Sequence, residues 1–464
     1  MNMDNTQVIG VSRRSALQLF GAGAGALGLG ALGIASPAAA SATPAVVPAA
    51  NDAAYWSKVE RMFTLDKRVL FMNVGTVGSP PRQVLDVVDA VHRQVARDAE
   101  AAYSAFDDVR EVIAKAHGVD TDEIAITHNT SDGMAKVLLG LNLREGDEIL
   151  TTNHEHSGGD TPLALVRDRY GVIIKRVELP VGDDQTAEDY VELFRAGITA
   201  RTKVIMFSAP TYLTGTMLPI KLIAKLAQDH GITTVVDGAH IPGMMAYDFR
   251  DLGVDFLAGS AAKWQCAPGG TGILYIRNRV SASNATPLPE FWPMVSSGYP
   301  RDESVDLRAR NESQDIGRYT QTVGNGAKAL NAGVKKAGEI WDEIGRQRIQ
   351  DHIVGLADLC KELVAERWGV ASLYSAKSDD RLTCALTSFN PFQSPGDVKN
   401  AEKSSAFVSR LLDEYGIEVR NTSLRVIGDA AAHSPIRVST HLFHQRTDVE
   451  RFVDAAWKLS KLMA

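Results

Sequence analysis

Cysteine is nearly absent: Cys266, Cys360 and Cys384 are the three in 464 residues, and no two form a CxxC pair. That excludes a disulfide scaffold, a thiol-rich metal site and a CxxC redox centre. No HExxH run occurs, although Asn153-His154-Glu155-His156-Ser157-Gly158 comes near it, so zinc chemistry of that kind fails on spacing and no metal is expected. Charge of one sign does not accumulate. With 49 Lys and Arg against 56 Asp and Glu the net charge is −7, without long single-sign runs. A nucleic-acid partner calls for a basic face and is therefore not expected. What the chain does have is length and an ordinary apolar content of 45%, enough for two or three units around a large core that needs no staple.

The first residues do not read as part of a fold. Ser12-Arg13-Arg14-Ser15-Ala16-Leu17 precedes an apolar, Gly/Ala-rich stretch from Leu19 to Ile34. Small residues from Ser36 to Ala42 follow and offer A-x-A cleavage sites after Ala40 or Ala42. Paired arginines before a weakly apolar stretch read as a twin-arginine signal peptide, residues 1–42, although Ala16 stands where that pattern usually has Phe. The stretch is short and Gly-rich for a spanning helix, so no stable membrane anchor is expected. The expected partner is the twin-arginine export machinery, and the destination periplasmic or secreted.

A linker and N-terminal segment follow, residues 43–75. The apolar spacing of Val84, Val87, Val88, Val91 and Val95 after Pro80-Pro81 predicts a helix from Arg82 to about Arg97. Short apolar runs then alternate with helical patterns. The expected strands are 123–127, 148–152, 172–177, 204–208, 233–237, 256–259 and 272–276, several of them apolar throughout, as strands covered on both faces are. The pattern predicts an α/β large domain, residues 76–325, with a mostly parallel seven-stranded sheet. From 326 to 464 one long helical stretch (326–365), β-like runs and two further helices predict a smaller C-terminal α+β domain.

Ligands of open α/β sheets gather at the carboxyl ends of strands, so the residues there are the ones to inspect. Thr130 and Ser131 follow the first strand and open a helix, where hydroxyls and free N–H groups make an anion cradle or merely an N-cap. His156 follows the second; a solvated loop histidine is the plain alternative. Asp237 ends an apolar strand, where a carboxylate is desolvated and a protonated pyridine nitrogen would keep it ionised. Lys263 lies just past Ser260 among Ala262, Trp264 and Cys266, where a desolvated amine becomes a nucleophile fit for a Schiff base. Together they match what pyridoxal 5′-phosphate (PLP) requires: a lysine, an acid for the pyridinium, and phosphate anchors.

The series Asp237-Gly238-Ala239-His240, Lys263-Trp264 and Gly270-Thr271-Gly272 resembles the class V aminotransferase family, fold type I, closest to isopenicillin N epimerase-like members and more distantly to cysteine desulfurases. The likeness runs from Asn73-Val74-Gly75-Thr76 to the last helix. It implies that Lys263 carries the cofactor as an internal aldimine, Asp237 meets the pyridinium, His240 bonds the ring hydroxyl, and Thr130, Ser131 and Ser260 hold phosphate. It implies that His156 stacks on the ring, where an epimerase could use it as a second proton carrier beside Lys263. Arg437, in Ile436-Arg437-Val438-Ser439, would grip the substrate carboxylate near Gly75.

Three positions depart from the family pattern. Ala262 replaces a phosphate-binding His. The Gly-Thr element that reaches the partner subunit's phosphate is altered in Asp315-Ile316-Gly317-Arg318-Tyr319-Thr320, leaving Arg318 or Thr320 as cofactor contacts. No cysteine lies between Val419 and Arg437, where desulfurases place theirs. The resemblance thus implies a homodimeric, exported PLP enzyme acting at Cα of an amino acid or amino-acid-containing peptide. The alternatives are an aminotransferase, an oxidative or lyase tailoring enzyme of a periplasmic metabolite such as a siderophore, and a PLP-binding protein without turnover.

Overall fold

A computed structural model describes residues 52–104, 106–278, 283–299 and 315–464, all within one unit, Pro48–Ala464. The twin-arginine reading of residues 1–42 lies outside the described residues.

The chain begins with α1 (Ala53–Glu60), β1 (Leu70–Phe71), α2 (Arg82–Arg97) and α3 (Asp107–Ala116). The alternating part follows: β2 (Ile124–Thr127), α4 (Thr130–Gly140), β3 (Glu148–Thr152), α5 (Ser157–Tyr170), β4 (Ile173–Val177), α6 (Ala187–Gly197), β5 (Thr202–Ser208) and α7 (Ile220–Asp229). Then come β6 (Thr233–Gly238), α8 (Phe249–Leu252), β7 (Phe256–Ser260), β8 (Gly272–Ile276) and α9 (Ile316–Gln321). All seven expected strands form one sheet in the order β2-β8-β7-β6-β5-β3-β4, in which β8 alone runs antiparallel to its neighbours.

Alternation along β5 explains why these strands are apolar throughout. Val204 and Met206 pack on one face with Met134, Val137, Leu163 and Val166 of α4 and α5. Ile205 and Phe207 pack on the other with Tyr190 and Phe194 of α6 and Ile223 of α7. Both faces are dry, so both sets of side chains must be apolar. The exposed edge of β2 is closed by α9, whose Gln321 Oε1 accepts from Ile126 N–H at 3.1 Å.

The C-terminal part holds α10 (Lys328–Ile344), α11 (Arg346–Trp368), β9 (Leu386–Phe389), α12 (Pro395–Val398), α13 (Ala401–Tyr415), β10 (Ile417–Glu418), β11 (Arg420–Asn421), β12 (Ile436–Ser439) and α14 (Arg446–Leu462). The single helical stretch expected over 326–365 is two helices. Gly345 divides them at φ +97°, a conformation that L side chains avoid, and each of the two helices keeps its own apolar spacing. The N-terminal segment pairs β1 with β10 in parallel, and Leu70 and Met72 enter the core that Phe389, Phe407, Ile417, Ile436 and Phe452 build. β9, β12 and β11 form a three-stranded sheet that faces Arg420 with Arg437.

Candidate active site

Lys263 sits three residues beyond the end of β7, on a loop held from outside by the N-terminal segment. Gly78 N–H donates to Ala262 O at 2.9 Å, and a Cβ on Gly78 would lie 1.9 Å from Lys263 O, so the chain approaches this closely only as glycine. The lysine amine is pushed down to about 8, chiefly by burial and further by Arg437 and Arg420, with Asp237 opposing. No hydrogen bond or ion pair among the described residues engages Nζ, and its lowered pKa makes the neutral, nucleophilic amine accessible just above neutral pH.

Asp237 closes β6 beside it. Its Oδ1 accepts from Ala239 N–H at 3.1 Å, and Oδ2 lies toward Gly159. Burial pushes this carboxyl upward and Lys263 restrains the rise. A buried acid held in this way is a ready partner for a cation that enters with a ligand.

His240 supplies the clearest sign that a ligand belongs here. Its Nδ1 accepts from Trp264 Nε1–H at 3.0 Å, and an indole N–H can only donate. The hydrogen of the neutral ring is therefore on Nε2, which is buried and has no partner. Burial holds the imidazole far below its usual range, so it stays neutral. Thr130 Oγ1 is a second buried orphan, on the first turn of α4, where the Asn129 side chain caps Asp132 N–H and leaves the N–H groups of Thr130 and Ser131 outside that cap. Ser131 Oγ reaches the start of α5, since a Cβ on Gly158 would lie 2.3 Å from it. Two helix N-termini thus converge on one spot, which favours an anion there. Ser260 is buried at the end of β7, opposite Gly272.

His156 caps α5: its Nδ1 accepts from Gly158 N–H at 3.0 Å and its ring meets Tyr212 edge-on at 5.0 Å. Its pKa is lowered, first by burial and then by Lys263, Arg420 and Arg437, with Asp237 opposing. The ring is accordingly neutral at neutral pH, with Nε2 carrying the hydrogen.

Arg437 is 1% exposed. Nη1 donates to Tyr212 O at 2.9 Å, Nη2 to Thr76 Oγ1 at 3.3 Å, and Nε has no partner. Burial lowers this guanidinium to about 10, which leaves it charged at any working pH. Gly75 makes room for it, since a Cβ there would lie 3.1 Å from Nη2 and 3.0 Å from Ser439 Oγ. A buried cation without a carboxylate costs several kcal/mol, and a ligand anion would offset that.

Arg318 and Thr320 stand apart in this chain. Thr320 Oγ1 donates to Ile316 O at 2.9 Å within its own helix, and Arg318 is exposed on α9. Among the described residues no hydrogen bond or ion pair joins either to Lys263, Asp237 or Thr130.

Four residues of the site were not singled out by the sequence. Glu155 is half-buried, accepts from Thr152 Oγ1 at 2.5 Å and Ser208 Oγ at 2.6 Å, and is raised to about 7 chiefly by desolvation, with Asp237 adding to the rise. It carries the same signal as Asp237, an acid just past an apolar strand. Thr76, Tyr212 and Arg420 meet Arg437 only through tertiary structure, and nothing local marks them.

A free amine, a buried acid, a neutral imidazole offering one N–H and an anion cradle, all on the carboxyl edge of a doubly covered sheet, define a PLP-dependent enzyme of fold type I. The orphaned His240 Nε2 and Thr130 Oγ1 would be completed by the ring hydroxyl and the phosphate, and Lys263 and Asp237 supply the amine and the acid that the aldehyde and the pyridine nitrogen call for, so the residues fit the cofactor. The chain belongs to the aminotransferase class-V family, whose model matches residues 82–452. It is 27% identical over 414 residues to an isopenicillin N epimerase of Amycolatopsis lactamdurans, covering 88% of this chain and 99% of that one. It is also 27% identical over 423 residues to a probable cysteine desulfurase of Pyrococcus abyssi, covering 87% and 97%. Among solved structures, a cysteine desulfurase from Escherichia coli superposes with a TM-score of 0.69 at 19% identity, covering 88% of this chain and 99% of that one. The cystine C–S lyase C-DES, with glycine covalently linked to its PLP cofactor, gives 0.68 at 21% identity, covering 86% and 99%. These likenesses show the fold.

Proposed function

We propose that this chain is an exported PLP enzyme that works at Cα of an amino acid or amino-acid-containing peptide with an epimerase-like outcome. The observation that carries the reading is the unpaired Lys263 amine within electrostatic reach of both Asp237 and the carboxylate-free Arg437. PLP, when bound, acidifies the Cα proton by drawing electrons toward its ring. Asp237 would keep the ring nitrogen protonated by offering it a buried negative charge. His240 would offer its Nε2–H to the ring hydroxyl, and Thr130, Ser131 and Ser260 would hold the phosphate. Arg437 orients the substrate carboxylate, and the Lys263 amine takes and returns the proton at Cα.

A desulfurase reading is disfavoured by the thiols. Cys360 is pushed up to about 12 and Cys384 to about 11 by burial, Cys266 is pushed up as well, and all three are buried. A thiol in that state is not a nucleophile. The test is to incubate purified protein with D- and L-amino acids and siderophore-like peptides in deuterated water. Deuterium at Cα together with inversion is the expected result. Keto acid or elimination products without inversion would replace it by the aminotransferase or lyase alternative, and no exchange at all by the non-catalytic one.

The role of His156 is separable by substitution. Its Nδ1 is committed to Gly158, so the ring can serve as second proton carrier only by giving up that cap. His156→Phe is expected to keep cofactor binding and exchange from the Lys263 side, to destabilise α5 by ~1 kcal/mol through the lost cap, and to lose inversion if His156 serves the second face. Chiral chromatography of one enantiomer in deuterated water checks this; retained inversion removes His156 from proton transfer and leaves it a covering and capping role.

The reading includes a homodimer in which α9 lies against the partner's cofactor. Arg318→Ala is then expected to raise the PLP dissociation constant ~10–100-fold, the worth of one charge-assisted hydrogen bond. Equilibrium dialysis measures it, with light scattering for the dimer. Unchanged affinity would withdraw Arg318.

A further inference from the structure

The second arginine at the site, Arg420, has no role in the chemistry above, and its placement is costly. β11 and β12 put it directly opposite Arg437, and like charges facing across a strand pair repel. Both guanidiniums converge on one hydroxyl: Arg420 Nη1 and Arg437 Nη2 each donate to Thr76 Oγ1 at 3.3 Å. That hydroxyl gives its own hydrogen to Asn73 Oδ1 at 2.8 Å, so its lone pairs are what the two cations share. Among the described residues no carboxylate pairs with either. Other arginines of the fold do better: Arg110 has Asp315, Arg277 has Asp255 and Arg201 has Glu148.

We propose that Arg420 is a second anion receptor, and that the substrate is an amino acid or aminoacyl compound whose side chain carries a carboxylate or comparable anion of its own. The inference rests on the reading of Cα chemistry above and names its substrate class. Arg437 is buried, Lys263 is half-buried and Arg420 is exposed, so of the three cations Arg420 is the one nearest solvent. With an α-carboxylate at Arg437, the neighbouring cation that shares Thr76 with it is the one left to meet a second anion on the same substrate. The planar fork of Arg420, held at one corner by Thr76, keeps its other N–H groups for an incoming carboxylate.

Calorimetry on the PLP-loaded protein tests this. The ligands are glutamate against norvaline and 2-aminoadipate against norleucine, both enantiomers of each, with glutarate against valerate as a pair that lacks the amine. The native protein is expected to bind each dicarboxylate at least ~10-fold tighter than its monocarboxylate counterpart. Arg420→Gln removes the difference by weakening the dicarboxylates alone, and Arg420→Lys restores part of it. Unchanged circular dichroism and cofactor absorbance establish that both variants are folded. Equal binding of the two classes by the native protein overturns the proposal. So does an equal loss for both classes in Arg420→Gln, which would mean that the two arginines clamp one carboxylate. If neutral amino acids bind and dicarboxylates bind no better, the proposal fails while the Cα reading stands; if no amino acid of either class binds, both fail.

Discussion

Replacing Lys263 with alanine is expected to abolish covalent attachment of PLP and all turnover, with the fold intact. The amine has no structural bond to lose, and its loop is held by the backbone bond from Gly78 to Ala262, which the substitution does not touch. Borohydride reduction followed by mass spectrometry reads the outcome directly, and a reducible PLP adduct in the variant would refute the assignment. The pH dependence has a definite sign. The amine reacts only when neutral, so the rate at which apoprotein captures PLP should rise with pH to a plateau, with its midpoint near about 8 rather than the ordinary 10.5. A lysine whose folded pKa is depressed contributes stability above its unfolded pKa and loses it as pH falls through the folded one. At pH 7 the charge therefore opposes folding by roughly 3 kcal/mol. The apo form of Lys263→Ala should unfold at no lower a temperature than the native apoprotein, even as its activity vanishes.

Asp237→Asn is expected to lower Cα deuterium exchange by at least ~100-fold, the scale on which a preorganised charge at a reacting centre acts. The amide preserves shape and can still accept from Ala239 N–H, but it offers a ring nitrogen no negative charge. The effect on stability runs the other way. Burial raises the pKa of Asp237, so ionising it in the apoprotein is unfavourable, and that cost enters as pH climbs from the ordinary carboxylate value through the raised one. Asparagine removes it. The variant apoprotein should match or exceed the native one in thermal stability at pH 7 and fall short of it at exchange. Turnover close to native would show that the carboxylate serves the fold and not the ring.

The sheet and its strand-end residues were legible because their cause is local. A strand covered on both faces must be apolar, and a polar residue directly after it is conspicuous, as Asp237 and Lys263 are. The break at Gly345 was not legible, since one glycine is tolerated inside a helical pattern and apolar residues recur at helical spacing on either side of it. The pairing of β1 with β10 was not either, because two-residue strands leave no periodicity to read. Arg420 illustrates the same limit. Its importance comes from a cross-strand register with Arg437 and from a hydroxyl on Thr76, and neither leaves a mark within its own stretch of chain. Glu155 was readable by the rule that found Asp237, but its neighbours His154 and His156 drew attention to imidazoles instead.

The parallel pairing of Leu70–Phe71 with Ile417–Glu418 has a consequence for how the molecule is made. A ribosome delivers the first strand long before the second, by tens of seconds at ~5–20 residues per second. Throughout that interval the stretch leading to Gly78, which braces the reactive lysine's loop, has only one of its two anchors. The chain can build its central sheet during synthesis, yet the surroundings of Lys263 are finished only once nearly all of it has emerged. Such a long sequence separation also makes unassisted refolding slow. A nascent chain arrested before residue 417 should therefore already hold its sheet and still fail to retain PLP.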